Sequence, residues 1–145
     1  MKLFVFDIDG TLIPRCADRI ADKDLESIRA LLRQGDVVAL ASGRPYCSLK
    51  NIISQFGPGE KYMITANGAA FFNENGDCLS RSLLPLSSLY YFYNKFKHLE
   101  TSIYAYDTDS GLVLFEESPA TDTEIVLCDV KKEDFTFVPK DHEPE

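Results

Sequence analysis

Three short apolar runs, Leu3–Phe6, Val37–Ala41 and Tyr62–Thr65, are separated by two amphipathic helical stretches. The first two runs have no polar alternation, which is the pattern of strands buried on both faces. Between them, Leu25, Ile28, Leu31 and Leu32 recur at helical spacing. Asp22 or Asp24 is placed to cap that helix and Gly35 to end it. Pro45 suits the first turn of a second helix with Leu49, Ile52, Ile53 and Phe56 on its apolar face, and Gly57-Pro58-Gly59 breaks it. Strand, helix, strand, helix, strand predicts an α/β fold with a parallel sheet and right-handed crossovers.

The pattern changes after Thr65. Ala69–Phe72 and Cys78–Ser82 flank Asn73-Glu74-Asn75-Gly76-Asp77, a hairpin with Asn-Gly in its turn. Pro85 leads into a helical stretch over Leu86–Lys97. Ser102–Tyr106 and Leu112–Phe115 predict a second hairpin, and Ile125–Leu127 and Phe135–Val138 are further candidate strands. A boundary near Leu83–Leu86 divides the chain into residues 1–84 and 85–145. The aromatic cluster Tyr90–Tyr93 with Phe96 fits either a substrate platform or the packing face of an amphipathic helix. The second reading is preferred, with the surplus tyrosines at the surface.

The 145 residues carry a net charge of −8, which argues against nucleic-acid binding and adhesion to anionic lipid. No apolar run approaches the roughly 18 residues of a membrane span. The N-terminal apolar run is too short for a signal-peptide core, so a cytoplasmic location and reduced cysteines are expected for Cys16, Cys47, Cys78 and Cys128. His98 and His142 are isolated, which disfavours zinc.

Three strings carry chemistry. The first, Asp7-Ile8-Asp9-Gly10-Thr11, follows the first strand directly. Ligands of parallel α/β sheets bind at the carboxyl ends of strands, so two carboxylates at i and i+2 there can share one cavity. Gly10 lets the backbone turn sharply and approach a ligand. Adjacent carboxylates repel, and a hard cation such as Mg²⁺ offsets this with oxygen ligands. One carboxylate can then attack a phosphate, and the other can move protons. The second string, Ser42-Gly43-Arg44, follows the second strand. Ser42 can hydrogen-bond a phosphate oxygen, and Arg44 can pair with phosphate or with substrate oxygens. The third, Asn67-Gly68-Ala69, stands at the same level of the sheet, which makes Asn67 a candidate lining residue.

In this order the three strings resemble the haloacid dehalogenase superfamily of phosphatases and phosphotransferases, most closely its Cof-type members. The resemblance spans essentially the whole chain. It implies a partial Rossmann-like core over residues 1–84 and part of an α+β cap over 85–145. It implies Asp7 as nucleophile and Asp9 as general acid/base. Mg²⁺ would be held by the Asp7 carboxylate and the Asp9 carbonyl. Gly10, Thr11, Ser42, Gly43, Arg44 and Asn67 would lie on the substrate or its phosphate, and Leu12–Ile20 would form a flap beside the site.

Two further family motifs, a phosphate-binding lysine and an acidic pair near Gly-Asp, normally follow the cap. Neither is assignable here: Lys131, Lys132, Lys140, Asp134 and Asp141 lack the context. The chain is therefore expected to stop inside the cap, leaving Leu3–Phe6 as an exposed apolar edge unless another copy or a complementing chain covers it. The functional expectation is a Mg²⁺-dependent phosphatase of a small phosphorylated metabolite, a sugar phosphate first, acting through an aspartyl-phosphate. The alternatives are a non-catalytic phosphate- or partner-binding protein and a hexose-phosphate mutase-like phosphotransferase.

Overall fold

The structure, a computed structural model, describes residues 1–14, 19–99, 103–107, 111–116, 121–122 and 131–140. The chain divides into two compact units, Met1–Arg81 and Ser82–Glu145.

In the first unit, β1 (Leu3–Asp7), α1 (Asp22–Arg33), β2 (Val37–Ala41), α2 (Tyr46–Ile53) and β3 (Lys61–Thr65) follow one another. They are succeeded by β4 (Ala70–Asn73) and β5 (Cys78–Arg81). The sheet runs in the order β1-β2-β3-β4-β5. β1, β2 and β3 are parallel, and β4 and β5 add an antiparallel hairpin. The expected elements are present, and the α/β class is as read from the sequence. Local readings at the helix ends are corrected: Pro45 is the N-cap of α2 and not in its first turn, and Phe56 lies beyond α2 in the 3-10 turn Ser54–Phe56. Ala21 is the N-cap of α1 and no side chain caps it, while Asp22 and Asp24 lie inside the first turn. There they face the partial positive charge of the helix N-terminus instead.

The core explains what the helices cover. Leu25, Ile28 and Leu32 of α1 and Leu49, Ile52 and Ile53 of α2 join one cluster with Val38, Leu40, Met63, Ala70 and Phe72. The strand registers place those five sheet residues on a single face. The other face presents Leu3, Val5, Val37, Ala39, Tyr62, Ile64 and Phe71, none of which enters the cluster. The expectation that β1 is buried on both faces is therefore overturned. β1 is an edge strand, with Leu3 62% and Val5 51% exposed. Composition reports the preference of such a strand for burial, but burial itself needs neighbours on both sides. An edge of five residues without proline, bulge or interior charge is a pairing hazard. Val5→Lys is expected to lower concentration-dependent self-association in light scattering while changing stability by no more than about 0.5 kcal/mol. Unchanged scattering would place the association elsewhere.

In the second unit, α3 (Leu86–Phe96) precedes β6 (Tyr104–Asp107), β7 (Gly111–Leu114) and β8 (Phe135–Phe137). β6 and β7 form the expected hairpin, and β8 adds in parallel to β7. Leu89, Tyr90 and Tyr93 pack with Phe115, and the Tyr90 hydroxyl donates to the Pro139 carbonyl at 2.7 Å. Tyr91 and Phe92 are exposed. The aromatic cluster is thus a packing face with surplus rings outside, as read. The candidate strand Ile125–Leu127 lies outside the described residues, as do residues 15–18 of the predicted flap.

Candidate functional site

Register sets the level of the site. Asp7 pairs with Ala41, and Ala41 with Ile64, so the carboxyl ends of β1, β2 and β3 are flush. The three strings leave the sheet from that common edge, where parallel α/β sheets hold their ligands.

After β1 the chain folds into a tight turn. Thr11 and Ile13 donate backbone N–H groups to the Ile8 carbonyl, and Gly10 to that of Ile13. Gly10 has φ +84°, a left-handed conformation that favours glycine. Ile8 and Leu12 point into the core. Asp7 and Asp9, on alternate positions, are thereby left outward. The Thr11 hydroxyl donates to Asp7 Oδ2 at 3.0 Å, which fixes one carboxylate oxygen and leaves the other for a ligand.

The second and third strings are stitched together by backbone. Ser42 N–H donates to Ile64 O, Asn67 N–H to Ser42 O and Ala66 N–H to Arg44 O. Ala66 and Asn67 have positive φ, tolerable for asparagine but costly for alanine. The two loops touch closely. A Cβ on Gly43 would lie 3.0 Å from Asn67 Oδ1, tighter than an ordinary contact, so a larger residue there would push the Asn67 side chain aside by a few tenths of an ångström. Ser42 is buried, and its Oγ accepts the Arg44 backbone N–H at 3.2 Å.

Arg44 joins the strings. Its guanidinium donates from Nε to Asp9 Oδ2 at 3.0 Å and from Nη2 to Asp9 Oδ1 at 2.6 Å. Nη1 donates to Ser48 Oγ at 3.3 Å. Ser48, in the first turn of α2, was not anticipated from sequence. No spacing rule marked it, because Arg44 precedes the N-cap Pro45 and lies outside the helix in which i,i+4 neighbours meet.

The acidic set is small. Among the described residues no group of three or more His, Cys, Asp and Glu side chains is placed to hold a metal ion. Asp7 and Asp9 supply hard oxygen donors, which suits Mg²⁺, an ion commonly held by one or two carboxylates together with substrate phosphate. A cavity of about 270 Å³ lined by Tyr46, Lys50, Lys61 and Glu74 lies at the amino end of β3, away from the site. There Lys61 Nζ is engaged by the carbonyls of Gly57 and Gly59 and by Glu74.

A parallel α/β unit bearing a carboxylate pair at the carboxyl end of β1 is the architecture of the haloacid dehalogenase-like hydrolases. The family model matches residues 4–144, and the chain belongs to that family. It is 27% identical over 114 residues to an HMP-PP phosphatase of Serratia proteamaculans, covering 79% of this chain and 41% of that protein. With an HMP-PP phosphatase of Yersinia enterocolitica it shares 36% identity over 84 residues, 58% of this chain and 30% of the relative. The chain thus spans less than half the length of these curated relatives. A haloacid dehalogenase-like hydrolase from Bacteroides thetaiotaomicron superposes with a TM-score of 0.80 at 23% identity, covering 94% of this chain and 51% of that one. A HAD subclass IIB sugar phosphatase superposes with a TM-score of 0.71 at 19% identity, over 94% and 53%. These two likenesses establish the fold.

Proposed function

We propose that the chain carries the nucleophile half of a Mg²⁺-dependent phosphatase site for a small phosphorylated metabolite. The observation that carries this reading is the carboxylate pair at the end of β1, with Asp7 steadied by Thr11 and Asp9 by Arg44. The relatives named as HMP-PP phosphatases and the sugar phosphatase neighbour support a small phosphate ester or anhydride as substrate, a sugar phosphate among the first to test.

Asp7 attacks phosphorus through its carboxylate oxygen. The bond from phosphorus to the leaving oxygen breaks, and Asp9 gives that oxygen a proton. Water then attacks the phosphorus of the aspartyl-phosphate. Asp9 takes the water's proton, and Asp7 and inorganic phosphate are released. Ser42 Oγ already accepts the Arg44 N–H, which leaves its O–H to donate to a phosphate oxygen. Asn67 borders the same loops. The Asp7 carboxylate and the Asp9 carbonyl would hold Mg²⁺, whose charge offsets the repulsion between an anionic nucleophile and an anionic phosphate. A cytoplasmic location suits such a substrate, and no helix among the described residues is long and apolar enough to cross a membrane.

The test is turnover of p-nitrophenyl phosphate by the purified chain. Activity is expected with Mg²⁺ and is expected to vanish with EDTA, then return when Mg²⁺ is added in excess. A second reading is favoured by the uncovered β1 edge and the two-carboxylate acidic set. In it the chain binds phosphate or a complementing chain without turning over substrate. Phosphate binding by calorimetry with no metal-dependent turnover would select that reading.

A further inference from the structure

Arg44 does not do what its motif suggests. The sequence offers it to phosphate or to substrate oxygens, yet its guanidinium forks onto both oxygens of Asp9, at 3.0 and 2.6 Å. The remaining nitrogen is tied to Ser48 Oγ at 3.3 Å. Ser48 is fully buried, so that anchor is screened from solvent. The Arg44 backbone is fixed as well: its N–H donates to Ser42 Oγ and its carbonyl accepts from Ala66. Arg44 is 12% exposed at its side chain, whereas Asp9 is 56% exposed. The rigid member of the pair is the arginine, and the member on the turn is the acid.

We infer that Arg44 is the positioning residue of Asp9, anchored by Ser48, and not a phosphate ligand. The inference rests on the phosphatase reading of Asp9. A planar fork fixes both the place and the plane of a carboxylate, which a lysine ammonium, a point charge, does not. Burial does not select the Asp9 rotamer, so the fork does. A proton donor must come within about 2.6–3.2 Å of the leaving oxygen. As proton donor Asp9 carries a proton on one oxygen, and that oxygen no longer accepts from Arg44; the fork then holds the other oxygen alone, while Ser48 keeps the guanidinium in place.

The consequence is specific to the leaving group. p-Nitrophenolate departs without a proton, and an alkoxide does not. Arg44→Ala is expected to lower kcat for an alkyl phosphate such as glycerol phosphate by on the order of 10²-fold, the cost of a misplaced catalytic group. The loss with p-nitrophenyl phosphate is expected to be only a few-fold by the same argument, with KM nearly constant for both. Arg44→Lys is expected not to restore the ratio, and Ser48→Ala to shift it in the same direction by less. A rise in KM for both substrates, rescued by lysine, would overturn the assignment in favour of a phosphate ligand.

A second measurement needs no turnover. In ¹⁵N NMR the Arg44 guanidinium is expected to show separate, slowly rotating Nη–H resonances that merge in Asp9→Asn. Averaged resonances in the unsubstituted protein would overturn the clamp. Separate resonances in a protein without Asp7-dependent turnover would keep the clamp and overturn the phosphatase reading instead.

Discussion

Asp7→Asn is expected to abolish turnover, with kcat/KM for p-nitrophenyl phosphate falling by at least ~10³-fold, and to leave the melting temperature unchanged. The substitution keeps the shape of the side chain. An amide oxygen still accepts the Thr11 hydroxyl that Asp7 Oδ2 accepts now. What disappears is the negative oxygen that attacks phosphorus, and nothing in the turn replaces it. Losing one charge-stabilising donor commonly costs about 10²–10³-fold, and removing the nucleophile itself exceeds that. Stability is indifferent because Asp7 is exposed at the end of an edge strand, where substitutions usually stay within about 0.5 kcal/mol. Full activity in the variant would eliminate the aspartyl-phosphate and with it the proposed mechanism. Loss of activity together with loss of folding would point to a structural role for Asp7 instead.

The fold of the first unit was legible because its two periodicities are local. A helix shows its apolar face every three or four residues, and both α1 and α2 do so. The runs Val37–Ala41 and Tyr62–Thr65 coincide with or fall within strands in the expected places. β1 shows where this kind of inference ends. Leu3, Phe4, Val5 and Phe6 state that the strand would be stable when covered. Which elements cover it is a non-local matter, and here only one face and one edge have neighbours. The consequence drawn from the unassigned motifs, an exposed edge, describes β1 correctly where its composition does not.

The placement of the candidate site residues was legible, and their partners only in part. Asp7, Asp9, Ser42, Arg44 and Asn67 leave the sheet from strand ends brought flush by parallel register, which the strand order alone implies. That Arg44 meets Asp9, that Gly43 makes room for Asn67, and that Thr11 serves Asp7 are contacts between side chains. Motif spacing carries no information on which of several nearby acceptors a guanidinium chooses. Ser48 escaped notice because a buried serine on an apolar helix face resembles an ordinary core position until its hydroxyl is seen to accept Arg44 Nη1.

Phe56→Ala tests the scaffold and separates it from the chemistry. Phe56 closes the 3-10 turn Ser54–Phe56 that follows α2 and is fully buried in the cluster with Leu32, Leu49 and Ile52. The turn that presents it is held from α1, whose Arg29 guanidinium donates to the Gln55 carbonyl at 2.8 and 3.2 Å. The ring cannot be replaced by collapse from one side alone, because helix and sheet both frame the hole. Removing it is expected to cost about 3–5 kcal/mol. Small domains have only about 5–15 kcal/mol in all, and one kcal/mol moves the melting temperature of a 60–100-residue unit by roughly 4–8 °C. Circular dichroism should therefore show a fall of more than about 12 °C, or an unfolded first unit at room temperature. Tyr91→Ala, on the exposed side of α3, is the control and should leave the melt nearly unmoved. A shift below about 1 kcal/mol for Phe56→Ala would mean that the cluster repacks and that its interior is not close-packed. Asp7→Asn should silence a folded protein. Phe56→Ala should silence one only in proportion to the fraction unfolded, and cooling should restore it.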